Sequence, residues 1–377
     1  MRSRLLKRIL IAAVLAVFLF VGVTGYTLIS NYQSLGNLVK VVSIIRTQYL
    51  HEVDSDKMME GAIQGMVESL DDPYSTYLDA ETFKQLNQQI HGSFGGLGIL
   101  VGVEDEYLTV VRPYEGTPAY EAGMKAGDKI TEIDDEDAKG IGLDTAINLM
   151  RGPIGTEISL TVLRGDEQKE FTLVREEIRV PTVEGKVMEG TEIGYIVLTQ
   201  FNDNTPNEMT ETLNKLLKKD IEGLVLDLRN NPGGELRSVA KVADQFITKG
   251  PVVHIDYKSG DDATYNAEKP GLDLPLVVLQ NQHTASAAEI LAGAIKDHNL
   301  GTLVGTTSFG KGVVQTVFPL DNGAGLKLTT ARYLTPDKHD INKKGIEPDV
   351  KIDLPLDATE DLQLEKAVEI MKEKLAS

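Results

Sequence analysis

The sequence predicts an α/β core preceded by a small α+β domain, with helical segments at both ends. Three observations carry this. Between 92 and 178, short β-type runs alternate with glycine-bearing turns around one helical segment. From 179 onward, apolar strands of the buried kind alternate with amphipathic helices. The segments before 92 and after 355 show helical spacing. A chain of 377 residues, 41% of them hydrophobic, has room for two or three such domains.

The elements follow in order. Arg2, Arg4, Lys7 and Arg8 precede an apolar run from Ile9 to Val23 that continues less strictly to Ile29. At about 21 residues this is the length of a bilayer-spanning helix, so 1–30 is expected to be a transmembrane signal anchor. Its positive flank stays cytoplasmic, which places the rest of the chain outside the cytoplasm. A cleaved signal peptide is the rival, although Val23-Thr24-Gly25 makes a poor cleavage site. Residues 31–50 and 56–70 carry apolar side chains at helical spacing, Asp72-Pro73 breaks the pattern, and a third helix is expected from Ala80 to Ile90. This region, 31–91, serves packing or self-association, and together with the C-terminal helix it can pair two chains. The β-rich domain runs from Gly92 to about Ile178, with its one helix at Leu143–Met150. In the α/β core, strands are expected at Ile193–Leu198, Gly223–Leu228, Pro275–Leu279 and Thr302–Gly305. Helices are expected at Thr205–Lys219 (Met209, Leu213, Leu216 and Leu217 on one face), up to Phe246, and from Ser286 to His298. Strands Val313–Phe318 and Leu326–Thr330 and a helix from about Glu360 close the chain.

Composition excludes several classes of function. A net charge of -19 repels a phosphate backbone, so no nucleic-acid partner is expected. With no cysteine there is no thiol nucleophile, zinc-thiolate site or disulfide. Gly305 to Lys311 matches G-x-x-x-x-G-K, but Gly312 stands where a phosphate-binding loop needs Ser or Thr, and VVQTVFPL then reads as strand. No metal or cofactor is called for.

The chemistry points elsewhere. Ser286 opens an alanine-rich helix directly after a buried strand and a polar loop. A serine there can cap the helix. The same place suits a nucleophile, because a developing oxyanion would meet the free amide of Ala287 in the positive field of the helix start. A serine needs a base. None of the six histidines has triad context, and His283, three residues upstream, reads as a loop or subsite residue. Lys311, between Gly310 and Gly312, is the better candidate. It accepts a proton only when neutral, so burial has to pull its pKa down from about 10.4. Gln315, four residues on, can accept from the amine and hold it in line without keeping it charged. The turn Asn230-Asn231-Pro232-Gly233-Gly234 leaves backbone amides open, and Gly233 is the expected second oxyanion donor.

These segments together resemble the carboxy-terminal processing peptidases, or tail-specific proteases, over nearly the whole chain after 1–30. The family's nucleophile region reads roughly N-x-G-S-A-S-A-x-E-I. Here Asn281 to Ile290 reads N-Q-H-T-A-S-A-A-E-I, with His283 and Thr284 replacing the glycine and the first serine. The family's G-K-G-x-x-Q falls on Gly310 to Gln315, and R-N-N-P-G-G on Arg229 to Gly234. The middle domain is similar to a bacterial-protease PDZ domain, with Gly96-Leu97-Gly98-Ile99 in place of the carboxylate-binding loop and Leu143 and Ile147 on the opposite wall. Arg151, at the end of that wall, reads as a surface charge or a relay.

The resemblance implies an α/β protease core, an α/β sandwich with a β-rich extension, plus an inserted PDZ domain. It divides the chain into 1–30, 31–91, 92–178, 179–355 and 356–377. It implies a serine endopeptidase that takes a polypeptide with a free C-terminus and works through a Ser286–Lys311–Gln315 site and an acyl-enzyme. A hinge near 90–95 and 178–182, through which tail binding would gate the site, is a separate hypothesis. The alternative is a catalytically silent PDZ adaptor acting on another membrane protease.

Overall fold

The computed structural model describes residues 36–104, 106–268, 270–353 and 360–376. The expected anchor, 1–30, lies outside them. No helix among the described residues is long and apolar enough to cross a membrane. The chain divides into two compact units, one up to Asp71 and one from Asp72.

In the first unit, helical residues 36–48 are followed by the helix Ser55–Glu68. Asp54 starts the second helix by accepting the free amides of Asp56 and Lys57. Leu38, Val39, Val41, Ile44, Met59 and Met66 stand exposed.

The second unit opens with the strand Thr76–Leu78 and the helix Ala80–His91. Asp79 caps that helix, and Gly92, in the left-handed conformation at φ 68°, ends it. The chain then enters the inserted domain through Ser93–Gly96, which pairs antiparallel with the exit strand Glu176–Arg179. The domain between them is an antiparallel sheet in the order Ile99–Glu104, Tyr107–Pro113, Lys129–Ile133, Glu157–Arg164, Glu167–Val174, with the helix Leu143–Met150 beside it. Alternation along the strands supplies the core: Ile158, Leu160 and Val162 point inward with Leu108, Ile130, Ala146 and Met150.

The core sheet runs in sequential order: Val183–Val187, Ile193–Leu198, Gly223–Asp227, Leu276–Gln280, Gly301–Gly305, Val350–Lys351. The first pair is antiparallel and the others are parallel. Right-handed crossovers that always step the same way put their helices on one face. Thr205–Leu217, Leu236–Ala243 and Ala287–Asp297 accordingly share one apolar cluster with Leu224, Leu226 and Val278. The other face would be bare without the C-terminal helix Leu362–Ala376, whose Ala367 and Met371 cover Val225, Val277, Leu279 and Val304. Burial on both faces explains why these strands read as unbroken apolar runs.

A second sheet holds Thr76–Leu78, Gly325–Leu334, Gly250–Tyr257 and Ala263–Ala267, with Val313–Pro319 paired to Gly325–Leu334. The sequence pattern missed Thr76–Leu78, Val183–Val187 and the pair at 250–267, whose polar alternation suits an extended surface layer. Leu217 is a correction: Met209, Leu213 and Leu216 are buried as expected, but Leu217 is exposed, having rotated off the apolar stripe.

Candidate active site

Three loops leave the carboxyl ends of three adjacent parallel strands: 228–235, 281–285 and 306–312. Ligands gather at this edge of an open α/β sheet. The loops are knitted together. The Thr284 hydroxyl donates to Leu228 O at 2.8 Å, the Ala285 amide to Asn231 O at 2.9 Å, and the Phe309 amide to Thr284 O at 2.9 Å. Asn281 and Asn230 exchange two further bonds.

Ser286 sits at the mouth of the helix Ala287–Asp297 with φ 55° and ψ -119°. A non-glycine residue held there is strained, and such strain collects at functional sites. What holds it is Glu289. This fully buried carboxylate accepts the Ser286 amide (2.8 Å) and the Lys311 amide (2.9 Å) on Oε2, and the Ser308 hydroxyl (2.5 Å) and the Gly310 amide (2.7 Å) on Oε1. One side chain thus pins the backbones of both expected catalytic residues. Ser286 and Glu289 form a reciprocal capping box, the Glu289 side chain taking the Ser286 amide and the Ser286 side chain facing the Glu289 amide. Tyr333 braces the same pair from the second sheet, its hydroxyl lying between the carbonyl oxygens of Ser286 (3.1 Å) and Lys311. Burial raises the Tyr333 pKa well above its ordinary value, so it stays a donor.

Ser286 and Lys311 line one cleft of about 540 Å³. Leu86, Ile90, Val313, Val314 and Val317 make it apolar, and no histidine borders it among the described residues. Lys311 is half-buried. Burial, and secondarily the Lys327 charge, push its amine below the ordinary lysine pKa, while Glu289 and Asp72 pull the other way. Its Nζ lies 4.9 Å from the centre of the Tyr74 ring. No hydrogen bond joins it to Ser286 or Gln315 among the described residues. Gln315 also borders the cleft, but its amide points to Thr329 Oγ1 at 3.4 Å and Val313 O at 3.5 Å.

Of the two expected oxyanion donors, the Ala287 amide is open, with no acceptor among the described residues. The Gly233 amide is engaged: it donates to its neighbour Asn231 Oδ1 at 2.9 Å. The glycine itself is required, since a Cβ there would lie 2.7 Å from that of Ser286. His283 is exposed; its ring meets the Gln282 side chain and its amide donates to Asn281 Oδ1 at 3.1 Å.

The inserted domain carries a separate groove of about 210 Å³, bordered by Gly96, Leu97, Gly98 and Ile99 on one side and Ile147, Met150 and Arg151 on the other. Tyr114 and Ala119 donate their amides to the carbonyls of Gly98 (2.8 Å) and Leu97 (3.0 Å). The amides of Leu97 and Gly98 take no acceptor among the described residues, which leaves two donors for an anion. Leu143, expected on the helical wall, is not among the bordering residues and stands at the solvent edge. Arg151 lies 4.2 Å from the Phe94 ring centre, half-buried rather than free on the surface.

The sequence pattern missed Glu289, Tyr333 and Tyr74 as parts of the site. Glu289 had a signal, the S-x-x-E spacing of a capping box. The two tyrosines had none.

Comparison with known proteins agrees with this architecture. Residues 192–352 match the model of peptidase family S41, 109–164 that of a PDZ domain, and 25–82 that of the N-terminal domain of the activating protease CtpB. The carboxy-terminal processing protease CtpA of Bacillus subtilis is 40% identical over 92% of this chain and 76% of its own length. CtpB of the same organism is 39% identical over 86% and 68%. Among solved structures, the photosystem II D1 C-terminal processing protease superposes with a TM-score of 0.52 at 31% identity, covering 88% of this chain and 90% of that one. Fold and site together define a PDZ-bearing serine peptidase. At this level of identity over this much of both sequences, the chain belongs to the carboxy-terminal processing protease family.

Proposed function

We propose that the chain is an endopeptidase that takes the free C-terminal tail of an unstructured polypeptide into the PDZ groove and cleaves a neighbouring bond in the Ser286 cleft. The observation that carries the proposal is a strained serine at a helix start sharing an apolar cleft with a lysine whose charge burial disfavours. Neutral Lys311 removes the Ser286 proton, and the alkoxide attacks the scissile carbonyl. The Ala287 amide holds the oxyanion, joined by Gly233 once its N–H leaves Asn231. Lys311 then protonates the leaving amine and activates the water that clears the acyl-enzyme.

Two steps separate the observed arrangement from a competent one: the amine has to reach Ser286, and Gln315 has to turn from Thr329 to the amine. We assign these to tail binding in the PDZ domain, relayed through the ribbon of Ser93–Gly96 and Glu176–Arg179. The basic residues and apolar run of 1–30 support a membrane anchor with the catalytic unit outside the cytoplasm. The exposed apolar side chains of 36–70 support pairing of two chains.

The test uses the purified chain and an unfolded polypeptide with an apolar C-terminal tail. Ser286→Ala should abolish cleavage while leaving the melting temperature intact. Cleavage that survives the substitution would refute the nucleophile. Wild-type protein that binds tails and cleaves none would favour the silent adaptor. Removing 92–178 should change both rate and regulation if the PDZ domain gates the site.

A further inference from the structure

We propose that the ring of Tyr74 is a positioning residue for the Lys311 amine, holding it as a cation away from Ser286 until the site is engaged. The inference rests on the reading of Ser286 and Lys311 given above and adds the element that sets when the base is available.

The geometry is specific. Lys311 Nζ sits over the Tyr74 ring at 4.9 Å from its centre, a distance at which the negative face of the ring attracts a cation. Tyr74 is fixed from both sides. Its amide donates to Asp72 Oδ1 at 3.1 Å, the Ser75 hydroxyl donates to Asp72 Oδ2 at 2.5 Å, and the Thr329 amide donates to Ser75 Oγ at 3.0 Å. Thr329 is also the residue whose hydroxyl holds Gln315. The strand Gly325–Leu334 therefore carries both halves of one arrangement: the amine over Tyr74, and the orienting amide turned away from it.

The chemistry gives the contact a direction. A ring face stabilises ammonium and does nothing for the neutral amine, so it opposes the form that acts as a base. The groups facing Lys311 divide accordingly. Tyr74, Asp72 and Glu289 favour the cation, while burial and Lys327 favour the neutral amine. The Tyr333 hydroxyl bonds the carbonyls of Ser286 and Lys311 and makes no hydrogen bond to the Lys311 amine. When the amine leaves the ring it loses one of the three contacts that keep its proton on, and it becomes a better base as it approaches Ser286.

The experiment measures kcat/KM against pH for the full chain on a tail-bearing unfolded peptide. Tyr74→Leu keeps the cover over the amine and removes the π face. The acid limb of the profile should move down by about half to one and a half pH units, with faster cleavage below the wild-type midpoint. Tyr74→Phe, which keeps the ring, should hold the limb at its wild-type position. If Tyr74→Leu does not fold, pentafluorophenylalanine at 74 reverses the ring quadrupole at nearly constant shape and should move the limb the same way. An unmoved limb, or one that moves up, overturns the proposal. Ser286→Ala and Lys311→Ala run alongside. If either keeps turnover, the underlying dyad is wrong; if both are dead and the limb has not moved, only the role of Tyr74 is.

Discussion

Glu289→Gln is the sharpest test of the clamp that joins the Ser286 and Lys311 loops. The carboxylate accepts four donors at 2.5–2.9 Å with no exposed surface. An amide of the same shape keeps one oxygen. If that oxygen stays on the Ser286 and Lys311 amides, the new NH2 faces Ser308 and Gly310. Ser308 can accept, because its hydroxyl already accepts from the Ile346 amide and can rotate. The Gly310 N–H cannot, and is left buried and unpaired, a loss of roughly 1–3 kcal/mol. The two retained bonds lose their charge assistance, so the total comes to about 2–4 kcal/mol. For a unit spanning Asp72–Ser377 that lowers Tm by roughly 3–6 °C. Turnover should fall by about a hundredfold, since small displacements of a reacting group are this damaging. The surviving activity should have its acid limb at lower pH, because one of the charges holding the proton on Lys311 has gone. Thermal melting and a pH–rate profile decide it. A variant that melts and turns over like wild type would refute the clamp. One that melts low but works normally at 25 °C would reduce Glu289 to a structural part.

Two further outcomes follow from the same geometry. Lys311→Met should lose about four orders of magnitude or more in kcat/KM. It should also melt above wild type at pH 7. A lysine whose folded pKa is depressed binds fewer protons folded than unfolded, so stability is penalised at low pH and recovers as pH rises from the folded pKa toward 10.5. The gain from methionine should therefore shrink by pH 10, and a constant or negative difference in Tm would contradict the depression. Gly98→Ala forces a side chain onto φ 73° and sets its Cβ 2.3 Å from that of Thr117. The distorted loop should raise KM for a tail-bearing substrate about tenfold. An unchanged KM in steady-state kinetics would remove this loop from tail recognition.

How much of this the sequence discloses depends on how local each cause is. The core strands are legible because a doubly covered parallel strand is apolar along its run, as Leu276, Val277, Val278 and Leu279 are. Ser286 and Lys311 are legible as candidates because each sits in a short segment whose neighbours suit the proposed chemistry. The strands Gly250–Tyr257 and Ala263–Ala267 are not, because a half-exposed layer leaves only a weak period. Tyr74 lies more than two hundred residues before Lys311, and only the pairing of Thr76–Leu78 with Gly325–Lys327 brings them together. Gly233 shows a different limit. Its position against Ser286 follows from the paired glycines, but which way its amide points depends on Asn231, and no spacing encodes that.

The arrangement also explains where a control step can lie. The Ser286 backbone is fixed by Glu289, its helix is buried, and its loop is bonded to both neighbouring loops. Moving Ser286 would break several buried hydrogen bonds at once, each expensive to leave unmade. The Lys311 backbone is held by the same carboxylate and by Tyr333. What stays free to choose between positions is the lysine stem, whose amine makes a single ring contact and no hydrogen bond among the described residues. Switching by rotation of one flexible side chain leaves every backbone bond intact, so it can be driven by the modest differential affinity of a bound tail. A device that instead remodelled the nucleophile loop would have to overcome the Glu289 clamp. It would leave that loop's amides open to hydrogen exchange in the tail-free protein. Protection of the Ser286, Gly310 and Lys311 amides that is equal with and without a bound tail is therefore the signature of control through the lysine, and deprotection in the tail-free state would exclude it.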